Sequence, residues 1–184
     1  MKMDEQFKKE LEKTNKFVDK EVRRAVKQGN ISENFNKHTL RGFHYQVHPS
    51  CESKIITCVT GSLFNAIIDL RKESETYLNW LSLEISAKNK ESIYIPAGCT
   101  NAFLTMSENT IVHYYMGDSF NADSYRGIRY NDPMFSVEWP CKPKIISEKD
   151  LKIISPASSE NICLFIKHLP FDTKDTCLYK ALLL

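Results

Sequence analysis

From Asp4 to Gln28 the apolar residues Phe7, Leu11, Val18, Val22, Ala25 and Val26 recur at helical spacings, with Lys, Arg and Glu between them. That period predicts one amphipathic helix with a single apolar stripe. Gly29 reads as its C-terminal stop, and Asn30 to Asn36 as polar connector. Beyond Thr39 the period changes. Short runs rich in β-branched and aromatic residues, "TLRGFHYQ", "KIITCVTG", "SLFNAIIDLR", "WLSLEIS", "SIYIPAG", "AFLTMS", "TIVHYYMG" and "FSVEWP", follow one another to about Trp139 with turn residues between them. Strands in close succession without intervening helices predict an antiparallel sandwich or barrel, because parallel neighbours need a crossover.

One run is two-sided. In "SLFNAIIDL" the alternation sends Leu63, Asn65, Ile67 and Asp69 to one face and Phe64, Ala66, Ile68 and Leu70 to the other. The second face is the dry one. The first carries polar groups among aliphatics, as either the wall of a polar ligand cavity or an edge strand facing water would.

With 184 residues the chain has the size of one domain around one core. The expected division is a helix over 1–29, a β domain over 30–156, and a C-terminal extension over 157–184 packed on the barrel. The extension reads as a short buried segment, a loop and a final short element, and yields no chemistry. A composition of 42% hydrophobic and 26% charged residues is that of a soluble globular protein. The net charge of +2 gives little reason to expect nucleic acid, while the 25 Lys and Arg residues can still build a local anion pocket. No stretch approaches the roughly 18 apolar residues of a membrane span, and the N-terminus lacks the apolar core of a signal peptide, so a cytoplasmic protein is expected. Six cysteines form no C-x-x-C pair and read as buried thiols rather than disulfides or zinc ligands.

The blocks "LRGFHYQ", a lysine in "SKIITCVTGSLFNAIIDLRKESETYLNW", "ISAKNKESIYIPAGCTNAF", "GIRYNDP", "VEWP" and "ISEKD" stand in that order between about Gln28 and Ser155. In this ordered set the chain resembles the dTDP-4-dehydrorhamnose 3,5-epimerase family of cupin-type nucleotide-sugar epimerases. "IPAG" alone occurs across cupins, so the order carries the specificity. The resemblance implies an all-β cupin jelly-roll antiparallel barrel, a homodimer, and a nucleotide diphosphate 4-keto-6-deoxy sugar as substrate. It also implies epimerisation at C3, C5 or both without a cofactor. Hydrogens beside the C4 ketone are acidic because their loss gives an enolate, so a base, an acid across the ring and a cation near O4 suffice.

By the same resemblance His44 is the base, a side chain whose ordinary pKa of about 6.5 suits the task. Asp150 pairs with it, Lys54 stabilises the oxyanion, and Tyr114 is the acid on the opposite face. Arg41, Gln28 and Asn30 match residues that hold the phosphates and nucleotide, while Asn65, Asn101 and Phe120 fall at pocket-wall positions. Without the motif, His44 reads as an ordinary strand histidine, Lys54 as a solvated strand-entry lysine and Asp150 as a helix cap. Tyr115 competes with Tyr114; alternation puts only one of them inside, and the match from Thr105 to Pro133 favours Tyr114.

The family commonly has histidine at the position of Asn101 and aspartate at that of Asn65, and often tyrosine at that of Phe120. Its N-terminal strand with an Asp, Arg and Gly motif is replaced here by the helix expected over Asp4 to Gln28. The paired amides suggest retuned specificity, loss of one epimerisation, or a tolerated swap of one hydrogen-bonded pair for another. Metal binding is not expected: His44 and His48 are two histidines at best, and Asn101 removes a third. His48 beside Pro49 reads as a loop residue. Two alternatives remain: a sugar 3,4-ketoisomerase, and a nucleotide-sugar-binding cupin altered in catalysis.

Overall fold

The computed structural model describes residues 26–153. Among them the strands are β1 (Gln28–Asn34), β2 (Thr39–Gln46), β3 (Lys54–Thr60), β4 (Ser62–Asp69), β5 (Trp80–Ser86), β6 (Ser92–Ile95), β7 (Cys99–Thr105), β8 (Thr110–Met116), β9 (Tyr125–Gly127) and β10 (Ile145–Ile146). A single helical turn, α1 (Glu148–Leu151), follows. One sheet runs β1-β8-β3-β6; the other runs β10-β2-β7-β4-β5, with β9 also paired to β2. All pairings are antiparallel except β10 with β2. The two sheets close on each other as the expected jelly roll.

Apolar side chains pack on both faces of the larger sheet. Inside the barrel, Ile56, Leu63, Ile67, Ile85, Ile93, Ile95, Phe103 and Val112 form a closed apolar plug. Outside, Phe43, Tyr45, Ala66, Ile68 and Leu70 are covered by Ile128, Phe135 and Trp139. Leu63 and Ile67 thus face the barrel interior within the plug, and Asn65 and Asp69 are fully buried, so this face of β4 is neither the ligand-cavity wall nor the water-facing edge that its pattern allowed. The plug fills one end of the barrel, and its members Ile56, Phe103 and Val112 also line the cavity at the other end, where most of the remaining lining residues are polar.

Seven of the eight expected strands form. "FSVEWP" does not: residues 135–140 carry no ladder, and their apolar members serve as a cover, with Trp139 donating from Nε1 to Tyr130 O at 2.9 Å. The expected helix lies mostly outside the described residues, but its end is misplaced. Gln28 begins β1, and Gly29 and Asn30 to Asn34 are ladder residues against β8 rather than a stop and a connector, so the β domain starts at Gln28 and not after 29. The cause is that β1 turns Gln28, Asn30 and Ser32 toward the cavity, so neither of its faces shows the apolar alternation that marks a strand. β9 and β10, three and two residues long, are too short for any period to reveal. Cys58 and Cys99 are buried free thiols, as expected, whereas Cys51 and Cys141 are only half-buried. Cys163, Cys177 and the C-terminal extension lie outside the described residues.

Candidate active site

The polar end of the barrel is a cavity of about 580 Å³. Strict alternation along β2 would send Arg41 and His44 to opposite faces, yet both line this cavity. A bulge between Arg41 and His44 resets the register against β7. Gly42 makes the bulge possible: its φ is +109°, and a Cβ there would stand 2.6 Å from Asn101 O and 2.7 Å from Ala102 Cα. The glycine of "LRGFHYQ" therefore aims the histidine inward while Phe43 and Tyr45 go to the outer core.

His44 Nε2 meets Asp150 Oδ1 at 2.5 Å, with the carboxylate side chain 3% exposed. Asp150 sits in α1, whose N-cap Ser147 accepts from the Asp150 backbone N–H at 3.0 Å. Burial pushes the Asp150 carboxyl up. The hydrogen bond and charge of His44, the Ser147 hydroxyl and the Gly42 backbone N–H outweigh it, so Asp150 lies below the ordinary carboxylate range.

Across the cavity, Tyr114 projects from β8 on the other sheet, while Tyr115 points outward and packs edge-on against His113. Burial, then the nearby Glu52 charge, raise the Tyr114 phenol, partly offset by Arg41. Lys54 enters from β3. Its ammonium donates to His44 O at 2.7 Å and Asn101 Oδ1 at 3.3 Å, and pairs with Glu52 Oε1 at 2.9 Å.

Gln28, Asn30, Arg41, Asn101 and Phe120 also line the cavity. Asn65 does not: fully buried behind Asn101, it accepts from Asn101 Nδ2 at 3.1 Å and reaches the cavity only through that amide, a correction to its expected place on the wall. His48 lies in the loop after β2, as its sequence suggested. Among the described residues no group of three or more His, Cys, Asp and Glu side chains converges as metal ligands would.

Sequence reasoning missed Glu52, Tyr125 and Lys149. Tyr125 stacks at a tilt on His44, with ring centroids 5.4 Å apart, and carries Lys149 Nζ 3.9 Å above its ring. Phe120 meets Tyr125 edge-on at 5.7 Å, so the mouth presents two aromatic surfaces and a cation. Burial and the Asp150, Glu52 and Tyr114 charges push the Tyr125 phenol above its usual range. The available signal was weak: Tyr125 stands in a three-residue strand, and Glu52 precedes β3 in a loop.

The family model for dTDP-4-dehydrorhamnose 3,5-epimerase matches residues 5–157. This chain belongs to the dTDP-4-dehydrorhamnose 3,5-epimerase family. It is 33% identical over 124 residues to the dTDP-4-dehydrorhamnose 3,5-epimerase of Shigella flexneri, covering 66% of this chain and 68% of that one. The chain spans 57% of the length of its Salmonella typhimurium relative and 58% of that from Sinorhizobium fredii. Among solved structures, the Bacillus anthracis dTDP-4-dehydrorhamnose 3,5-epimerase with TDP and PPi bound superposes with a TM-score of 0.69 at 32% identity, covering 71% of this chain and 74% of that one. The Legionella pneumophila dTDP-6-deoxy-D-glucose-3,5-epimerase in complex with dTDP-4-keto-L-rhamnose gives 0.64 at 30% identity, over 68% and 66%. Members of this family are isomerases built on the jelly roll described above.

Proposed function

We propose that this chain epimerises a nucleotide-linked 4-keto-6-deoxy sugar at C3, C5 or both. The observation that carries the reading is the placement of His44 and Tyr114 on opposing sheets facing one cavity that Lys54 also lines. In each inversion the imidazole takes the proton beside the ketone and the C–H electron pair moves onto O4. Lys54 stabilises the resulting enolate oxygen. The Tyr114 phenol then returns a proton to the opposite face of the carbon, and solvent exchange restores both groups. Asp150, ionised and bonded to His44, fixes the ring and stabilises the imidazolium that forms.

Arg41 meets the diphosphate, Gln28 and Asn30 the nucleotide, and Phe120 offers a stacking face. We place the chain in the cytoplasm, where nucleotide sugars are made, and as a homodimer. Exposed Ile31, Val59 and Tyr115 on the four-stranded sheet, with Phe35 beside it, form the surface that a second copy would cover. Light scattering on the purified chain checks the dimer, and a monomer would refute it.

The test of the reaction is deuterium uptake. Incubation with a dTDP-linked 4-keto-6-deoxyhexose in D2O should add one or two mass units to the sugar, and His44→Ala should abolish the gain while the nucleotide still binds. A wild type that binds the nucleotide sugar and exchanges nothing refutes the epimerase and leaves the binding-protein alternative.

A further inference from the structure

A buried ammonium needs a counter-charge, and the inner wall of this cavity has none to offer. Behind Lys54 stand Asn101, which gives it one neutral oxygen at 3.3 Å, and Asn65, which bonds only to Asn101. Asn65 is fully buried, and its Nδ2 finds no acceptor among the described residues, so this pair of amides is imperfectly satisfied and carries no charge. The answering charge comes from the opposite direction. Glu52 Oε1 lies 2.9 Å from Lys54 Nζ, and the two residues are 5% and 8% exposed.

Glu52 is itself held. Its Oε2 accepts from Gln46 Nε2 at 2.9 Å, and the same Gln46 nitrogen donates to Ser119 O at 3.2 Å. Gln46 Oε1 accepts from the Asn121 backbone N–H at 2.6 Å. One carboxylate therefore connects Lys54 to the segment carrying Phe120 at the mouth. A carboxylate in a cavity built for a diphosphate would repel its ligand unless neutralised, and the ion pair with Lys54 neutralises it.

We propose that Glu52 is a positioning residue: it holds the Lys54 ammonium toward the ketone oxygen, in place of the charge the amide wall lacks, and couples it through Gln46 to the loop at the mouth. This rests on the epimerase reading for its consequence in turnover, but the ion pair can be tested without it. Glu52→Gln keeps the size and an acceptor for Gln46 and removes the charge. It should lower kcat for deuterium exchange by about 10²-fold, the scale of losing one preorganised oxyanion contact, with much less change in KM and a retained thermal unfolding transition. Because Glu52 acts through Lys54, the E52Q/K54M double variant should exchange no more slowly than K54M alone.

Losses that add in the double variant, or a Glu52→Gln enzyme with wild-type kcat, overturn the proposal. A second readout needs no turnover: acetic anhydride labelling of folded protein, followed by peptide mass analysis, should acylate Lys54 several-fold faster in Glu52→Gln than in wild type. Equal labelling rates overturn the proposal whatever the activity. A wild type without exchange refutes the epimerase reading alone and leaves the labelling comparison to decide this one.

Discussion

Replacing Asp150 by Asn changes the site by one charge. The side chain keeps its shape and one acceptor oxygen, but the buried carboxylate that faces His44 Nε2 at 2.5 Å is gone. Charge centres about 4 Å apart attract by about 4 kcal/mol at the effective dielectric of a partly buried pair. His44 is 30% exposed, which screens the pair and leaves about 2 to 3 kcal/mol for the imidazolium formed during proton abstraction. That is about a 10²-fold loss in the chemical step. Because Asp150 lies below the ordinary carboxylate range, its charge is present across the neutral range, and the difference should persist there. Single-turnover deuterium wash-in at saturating nucleotide sugar reads the step directly, with KM expected to move little. A D150N enzyme within threefold of wild type would show that the carboxylate does not support the base, and the proton-transfer scheme would have to be rebuilt around another group.

Three further outcomes follow from the fold. Asp69 is fully buried, and although burial pushes it up, bonds from Arg71, Ser74 and Thr76 lower it from 3.8 to about 2. The depressed group contributes about 2 kcal/mol that is complete above pH 3.8 and lost as pH falls through 2, so urea midpoints of wild type should drop across that window by more than those of D69N. Gly42→Ala puts a Cβ 2.6 Å from Asn101 O at a φ of +109° and should cost about 3 kcal/mol by thermal melting, with deuterium exchange lost as His44 is displaced. Trp139→Ala uncovers Phe43 and Phe64, whose rings lie 6.0 and 5.7 Å away, and should cost about 2 to 3 kcal/mol in urea unfolding with exchange in the surviving fold retained.

Where packing and period agree, the sequence was sufficient: β8 sits where its run predicts, and alternation separates Tyr114 from Tyr115. Where a strand borders water inside the barrel, the signal inverts. β1 looks like a connector because the cavity it lines is wet, and Gly29 looks like a helix stop because nothing local distinguishes a ladder glycine from a cap. "FSVEWP" errs the other way, since a cover segment is as apolar as a strand without pairing like one. Of the site, His44, Lys54, Tyr114, Arg41 and Asp150 were named by resemblance, and the fold brings them to one cavity. Their spacing could not have shown this, because 106 residues separate His44 from Asp150 and the bulge at Gly42 cancels the parity of β2. Glu52 and Lys149 gave no sign, as charged residues in a loop and a helical turn normally face solvent.

The parallel pairing of β10 with β2 has a mechanical meaning. Thr39 and Leu40 grip Ile145 and Ile146, four residues before Asp150, while the far end of the same strand carries His44. His44 and the segment that leads to Asp150 are therefore both tied to β2. A displacement of β2 would therefore move His44 and the ladder that leads to Asp150 together, which preserves their spacing.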